Sequence, residues 1–180
     1  EAIVAHVAGL KELVDAFHQY ARMPAVVVRP TALDVLLADV VSLYGGIRPG
    51  LSVRLDPAPP AVVAKVDPSL LRQALVNLID NAVEAVSGSG EVRVRVTTAG
   101  SDVTVEVVDT GPGMPTEDSS LLVQPFYSTK GRGSGMGLAL VHRVVSDHGG
   151  SLEITSSPSG ARVRIRLPGA RVGDDAGATT

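Results

Sequence analysis

DTGPGMP, residues 109–115, follows an alternating run in which Val103, Val105 and Val107 point one way, and it starts on a carboxylate. Two glycines and two prolines come next. A plain hairpin needs only two turn residues, commonly Asn-Gly or Asp-Gly, so what a turn this stiff does at the end of a buried strand depends on the segments before and after it. Outward from it the same alternation recurs. Val92, Val94 and Val96 alternate with Glu91, Arg93 and Arg95, and a further run at 162–167 sets Arg162, Arg164 and Arg166 on one side. With 152–155, these runs predict a sheet with one buried and one open face. The arginine rows fit a solvated sheet face.

Two strong helices flank this sheet. Asp67-Pro68 is an N-cap carboxylate followed by proline at the first helical position, which starts a helix running to about Val86 with Gly88 beyond its end. Leu71, Leu75, Leu78 and Ala82 form its buried stripe, while Gln73, Asn77, Asn81 and Glu84 share another face. A second helix spans 138–148, stopped by Gly149-Gly150. Before them, 26–28 is expected to be a short strand. A helix follows over 31–44, capped by Thr31 with Asp34 three residues on. Strands are expected at 51–55 and 62–66. Residues 1–23 read as a helix with apolar residues at Ile3, Val7, Leu10, Val14, Phe17 and Ala21. That narrow seam suits dimerisation in a helical bundle.

The composition narrows the function. The chain has 180 residues, 44% apolar, with a net charge of −3 and no cysteine. The charge disfavours a broad nucleic-acid surface, and the missing thiols exclude disulfides and thiolate metal sites. No apolar run reaches the roughly 18 residues of a membrane span.

Four polar segments remain as candidates for chemistry. Asn77 and Asn81 stand one helical turn apart, either as an internal network or as oxygen donors of the kind that suit Mg²⁺. Asp109 precedes its glycine turn. PFYSTK, 125–130, is aromatic and basic. GRGSGMGLAL, 131–140, carries four alternate glycines into a helix, where free N–H groups and the positive dipole end favour phosphate. GxGxG after a loop is not the dinucleotide fingerprint, and the Walker pattern is absent.

In this order the segments resemble the catalytic ATP-binding domain of bacterial sensor histidine kinases, part of the ATPase superfamily shared with gyrase, heat-shock chaperones and mismatch-repair proteins. NLIDNAVEA (77–85) is similar to the asparagine box, DTGPGMP to the first glycine box, PFYSTK to the phenylalanine box and GSGMGLAL (133–140) to the second glycine box. GARVRIRLP (160–168) resembles the closing strand, and FHQYARMP (17–24) the dimerisation hairpin of nitrogen-regulation sensor kinases. The resemblance implies a two-layer α/β sandwich of the Bergerat type: a mixed, mostly antiparallel sheet with helices on one face. It implies ATP and Mg²⁺ as cofactors. Asp109 would accept from the adenine amino group, with Gly111 and Gly113 allowing the base to approach. Asn81, with Asn77 beside it, would hold the metal. Gly133, Gly135, Gly137 and Leu138 would cradle the phosphates, and Thr129, Lys130 and Arg132 would act from a lid over about 114–133. Hydrolysing members of the superfamily carry a glutamate base at the position of Asn77, so transfer to a protein group is favoured here, with Asn77 and Lys130 as the catalytic pair.

Neither His6 nor His18 lies in the family's phosphoacceptor pattern, so the acceptor is expected upstream of Glu1. Residues 1–23 are then the second helix of the dimerisation hairpin, 24–168 the catalytic domain and 169–180 a disordered tail. The expected partners are ATP, a response regulator and a second copy of the chain through the N-terminal helix, with no nucleic acid, on the cytoplasmic side of a membrane-bound sensor. A regulatory module of a mainly phosphatase or scaffold sensor, and a serine kinase of the anti-sigma-factor type, are the alternatives.

Overall fold

The computed structural model describes residues 20–57, 62–114, 119–127 and 135–171, together with Lys11, Leu13, Val14, Phe17 and His18. Those five, with Tyr20 and Ala21, are the described helical residues of α1. There follow β1 (Arg29–Ala32), α2 (Leu33–Ser42), β2 (Leu51–Leu55), β3 (Val63–Val66), α3 (Pro68–Ala85), β4 (Gly90–Ala99) and β5 (Asp102–Asp109). A short α4 (Ser119–Leu122), α5 (Gly137–Asp147), β6 (Ser151–Ser157) and β7 (Gly160–Leu167) complete the order.

Five strands form the main sheet in the order β2-β4-β5-β7-β6. β2 runs parallel to β4, and the other pairs are antiparallel, so the sheet is mixed as expected. Val92, Val94 and Val96 of β4 and Val103, Val105 and Val107 of β5, with Val163, Ile165 and Leu167 of β7, are buried under Leu37 and Val40 of α2, Leu71, Leu75 and Ile79 of α3, and Val141, Val144 and Val145 of α5. Aliphatic side chains, with Tyr44 as the aromatic member, fill this core on one face of the sheet, and the arginine rows lie on the other.

On the open face the arginine rows are matched by acids. Arg95 bonds Asp56 at 2.9 Å, Arg166 bonds Asp102 at 2.6 Å, and Arg164 reaches Glu106 at 3.1 Å and Glu153 at 2.9 Å. Such pairs in water contribute little individually, and they leave no one-signed field.

Three local expectations are corrected. Residues 26–28 are not a strand, because the Val27 N–H is taken by the Asp67 carboxylate at 3.0 Å; the strand is β1, and it pairs with β3 as a separate two-stranded sheet. Thr31 does not cap α2. It sits in β1 opposite Ala64, its hydroxyl donates to the Arg29 carbonyl at 3.0 Å, and Ala32 takes the N-cap position with no side-chain bond. Strand pairing outweighs the cap signal here. The tail does not begin at 169: Ala170 is buried, its carbonyl accepts from Lys65 N at 2.7 Å, and Arg171 N donates to the Ser101 carbonyl at 2.8 Å. Residues 172–180, and Ile3, Val7 and Leu10 of the expected seam, lie outside the described residues. Among the described residues no helix is long and apolar enough to cross a membrane.

Tyr44 joins the end of α2 to α3. Its hydroxyl donates to Asp80 Oδ1 at 2.8 Å. Burial, then the hydrogen bond to Asp80 and its charge, push the phenol well above its ordinary value. Tyr44→Phe removes one charge-assisted bond while Asp80 is exposed enough to regain water, so the expected loss in chemical denaturation is about 1 kcal/mol. No change in the unfolding midpoint would show that the bond stabilises nothing net.

Candidate nucleotide site

Asp67 starts α3 as the sequence predicts. Its Oδ1 accepts from Ser69 N at 3.0 Å and Leu70 N at 3.1 Å, with Pro68 at the first helical position. The cap sets the rotation of α3, so that Leu71, Leu75 and Leu78 are buried and Asn77 and Asn81 emerge at the rim. Asn77 Nδ2 donates to the Gln73 carbonyl one turn back at 2.9 Å. That bond fixes the amide with its oxygen toward α5: a Cβ built on Gly137 would lie 3.2 Å from Asn77 Oδ1, 3.5 Å from Asn81 Nδ2 and 3.8 Å from Asn81 Oδ1. Two segments 56 to 60 residues apart in sequence thus meet where α5 begins, and a larger residue at 137 would crowd the two amides. Met136 at the N-cap of α5 supplies no side-chain cap.

The first glycine turn closes the other end of the site. Asp109 ends β5 nearly buried, with Oδ1 accepting from Gly111 N at 2.8 Å and Ala161 N at 3.3 Å. A Cβ on Gly111 would stand 2.9 Å from the Ala85 carbonyl at the end of α3. Gly113 has φ +77° and would place a Cβ 2.1 Å from the Ser157 carbonyl. No L side chain fits there without moving the backbone.

The third and fourth segments also touch. Gly135 (φ +64°) would set a Cβ 2.7 Å from the Phe126 carbonyl carbon and 2.9 Å from the Tyr127 carbonyl oxygen. Phe126 itself has φ +66°, the one positive value on a non-glycine among the described residues, and its exposed ring stacks on Phe17 of α1 with centroids 6.3 Å apart. Of the residues expected at the site, Asn77 and Asn81 meet Gly137 at the start of α5, where Leu138 follows; Gly111 lies between Asp109 and Ala85 at the end of α3; Gly113 packs on β6, and Gly135 on Phe126 and Tyr127. Thr129, Lys130, Arg132 and Gly133 lie outside the described residues.

Two features escaped the sequence reading. His148, at the end of α5, accepts from Asp67 N through Nε2 at 2.9 Å, and its Nδ1 lies 2.7 Å from the Val144 carbonyl. Arg143 of α5 reaches the Tyr20 carbonyl at 3.0 Å and lies 5.2 Å from the centre of the Tyr20 ring. Both are contacts across more than 80 residues, for which local patterning gives no signal. They tie the end of α5 to the start of α3, and its middle to the end of α1.

Comparison with known proteins follows the same segments. Residues 66–171 match the family described as histidine kinase-, DNA gyrase B-, and HSP90-like ATPases. Over 174 residues the chain is 33% identical to the nitrogen regulation protein NtrY of Azorhizobium caulinodans, covering 93% of this chain and 22% of that protein. Full-length ShkA, solved in complex with AMPPNP, superposes with a TM-score of 0.80 at 26% identity over 91% of this chain and 36% of its own. The histidine kinase ThkA, solved with the response regulator protein TrrA, has the same fold, with a TM-score of 0.78 at 22% identity over 93% of this chain and 49% of its own. The chain thus spans about a fifth of its curated relative NtrY. With the family pattern covering residues 66–171, more than half of its length, the chain belongs to the histidine kinase-, DNA gyrase B-, and HSP90-like ATPases.

Proposed function

We propose that this chain is the ATP·Mg²⁺-binding catalytic part of a two-component sensor histidine kinase, and that it delivers the γ-phosphate of ATP to a protein histidine. The observation that carries the reading is the meeting of Asn77 and Asn81 with Gly137. It sets neutral oxygen donors beside the start of a helix with no side-chain cap, an arrangement suited to phosphate and a hard cation. The donor set fits Mg²⁺, which prefers oxygen and keeps waters and phosphate oxygens among its ligands. Asn81 would hold the ion with Asn77 beside it. Once bound, the metal offsets negative charge on the phosphates.

Asp109 supports adenine over guanine. An ionised carboxylate accepts hydrogen bonds and cannot donate, so it pairs with an amino group and repels a keto oxygen. Asn77 supports transfer over hydrolysis. Its amide is committed to the Gln73 carbonyl and has no basic site at neutral pH, so it cannot activate water as a carboxylate would. Phosphoryl transfer depends mainly on positioning and charge, and an incoming imidazole brings its own nucleophile. Thr129, Lys130, Arg132 and Gly133 would complete the phosphate end.

The response regulator, the cytoplasmic location and pairing of two copies through α1 belong to the same proposal. They draw on the histidine kinase ThkA having been solved with a response regulator protein and on the exposure of Val14 and Phe17 along the apolar seam.

Calorimetry of the chain with ATP, with and without Mg²⁺ and with GTP as control, tests the reading. Binding of ATP that strengthens with Mg²⁺, with weaker or absent binding of GTP, is the expected result. Equal binding of both nucleotides would remove the role given to Asp109, and no ATP binding would remove the proposal.

A further inference from the structure

The first glycine turn is held from outside by a serine that no sequence pattern singles out. Ser156 lies near the end of β6, the edge strand of the main sheet. Its hydroxyl accepts from Met114 N at 2.6 Å and lies 3.5 Å from the Met114 carbonyl, to which it donates. One short side chain therefore engages both backbone polar groups of the residue where the turn ends. At the other end of the turn, Asp109 Oδ1 accepts from Gly111 N at 2.8 Å.

Between these two bonds the backbone is pressed against β6. A Cβ on Gly113 would lie 2.1 Å from the Ser157 carbonyl and 2.7 Å from Ser156 Oγ. The absence of a side chain at 113 is what lets the hydroxyl reach Met114. The glycine at 113 and the serine at 156 thus form one device. The first allows the turn to approach the strand, and the second fastens it there.

We propose that Ser156 is a positioning residue for nucleobase binding: its hydroxyl holds residues 111–114 against β6 and so fixes the turn that flanks the Asp109 carboxylate. The proposal rests on the nucleotide reading above and extends it to a residue in a different strand. Asp109 fixes only the start of the turn. With the far end free, Gly111 and Gly113 sample more positions, and that freedom must be given up when a base is bound.

The consequence is specific to the base end of the nucleotide. Ser156→Ala is expected to weaken ATP and ADP binding by the same factor, about fivefold, as for loss of one neutral hydrogen bond. Ser156→Thr keeps the hydroxyl in an exposed strand position that suits a β-branched residue, and it is expected to restore the parent affinity. Amide exchange at Met114, followed by NMR on the whole chain without nucleotide, is expected to quicken in the alanine variant and stay slow in the threonine variant.

Calorimetry of the three proteins, with Asp109→Asn beside them, separates the outcomes. Unchanged ATP affinity in Ser156→Ala, while Asp109→Asn loses affinity, overturns the positioning role. So does slow Met114 exchange that survives the alanine substitution. A loss confined to ATP with ADP unaffected would move the effect to the phosphate end and equally overturn it. A parent chain that binds no ATP overturns the nucleotide reading itself, and the parent titration alone identifies that failure.

Discussion

Asp109→Asn is expected to weaken ATP binding by about 1–3 kcal/mol, roughly five- to 150-fold in Kd, with little change in the fold. Asparagine has nearly the shape of aspartate. Its one oxygen can take the place of Oδ1 and keep the bonds from Gly111 N and Ala161 N that now measure 2.8 and 3.3 Å. The other position changes from an acceptor to an N–H₂ donor. On the proposed assignment a donor there would face the adenine amino group with like polarity, in a site where Asp109 is only 7% exposed and water cannot easily relieve the mismatch. The same donor suits the keto oxygen of guanine, so the preference for ATP over GTP should narrow as well as the affinity fall. Calorimetry with both nucleotides, alongside a thermal melt, checks the two parts separately. Unchanged ATP affinity in a folded variant would remove Asp109 from base recognition.

The local parts of this site were legible in the sequence because each is written in adjacent residues. Asp67-Pro68 names its own role, and the spacing of Leu71, Leu75, Leu78 and Ala82 gives the face that α3 buries. Asn77 and Asn81 then follow by one helical turn. Glycines at 111, 113, 135 and 137 mark close approaches, but what approaches them was not legible. Ala85, Ser157, Phe126 and Asn77 become neighbours only when the sheet and helices assemble. The pairing of strands was hidden for the same reason. β2 and β3 are consecutive in sequence, yet β2 lies parallel to β4 and β3 joins β1. Thr31 shows the limit most clearly: a good capping residue loses to a strand partner 33 positions away, Ala64. Assembly also decides the role of His148, which no ligand spacing explains and which the structure places on the backbone of Asp67.

Asp67→Ala is the substitution expected to cost most stability, about 2–3 kcal/mol when loss of the helix cap and of a further bond to a carboxylate are combined. The carboxylate, 8% exposed, accepts from Ser69 N and Leu70 N through Oδ1 and from Val27 N through Oδ2. Alanine leaves the first turn of α3 uncapped and frees the segment that enters from α1. For a domain of this size the melting temperature should fall by roughly 5–10 °C. Asp67→Asn isolates the second part. Its single oxygen can keep the cap, but an amide nitrogen cannot accept from Val27 N, so its loss should be smaller, about 1 kcal/mol. The acid limb of the stability curve gives an independent check. Burial works against the charged form, yet the bonds from Val27, Leu70 and Ser69, with the His148 side chain nearby, hold the carboxyl below its ordinary value of 3.8. The folded state therefore binds the proton less readily than the unfolded chain. Asp67 contributes its full stabilisation above the ordinary value and loses it as pH falls through the lower folded value. Denaturant titrations across that interval should show a steeper acid loss in the parent than in Asp67→Asn, which has no proton to take up at 67. Superimposable acid limbs would mean that another carboxylate carries the titration and that Asp67 serves the fold through its shape alone.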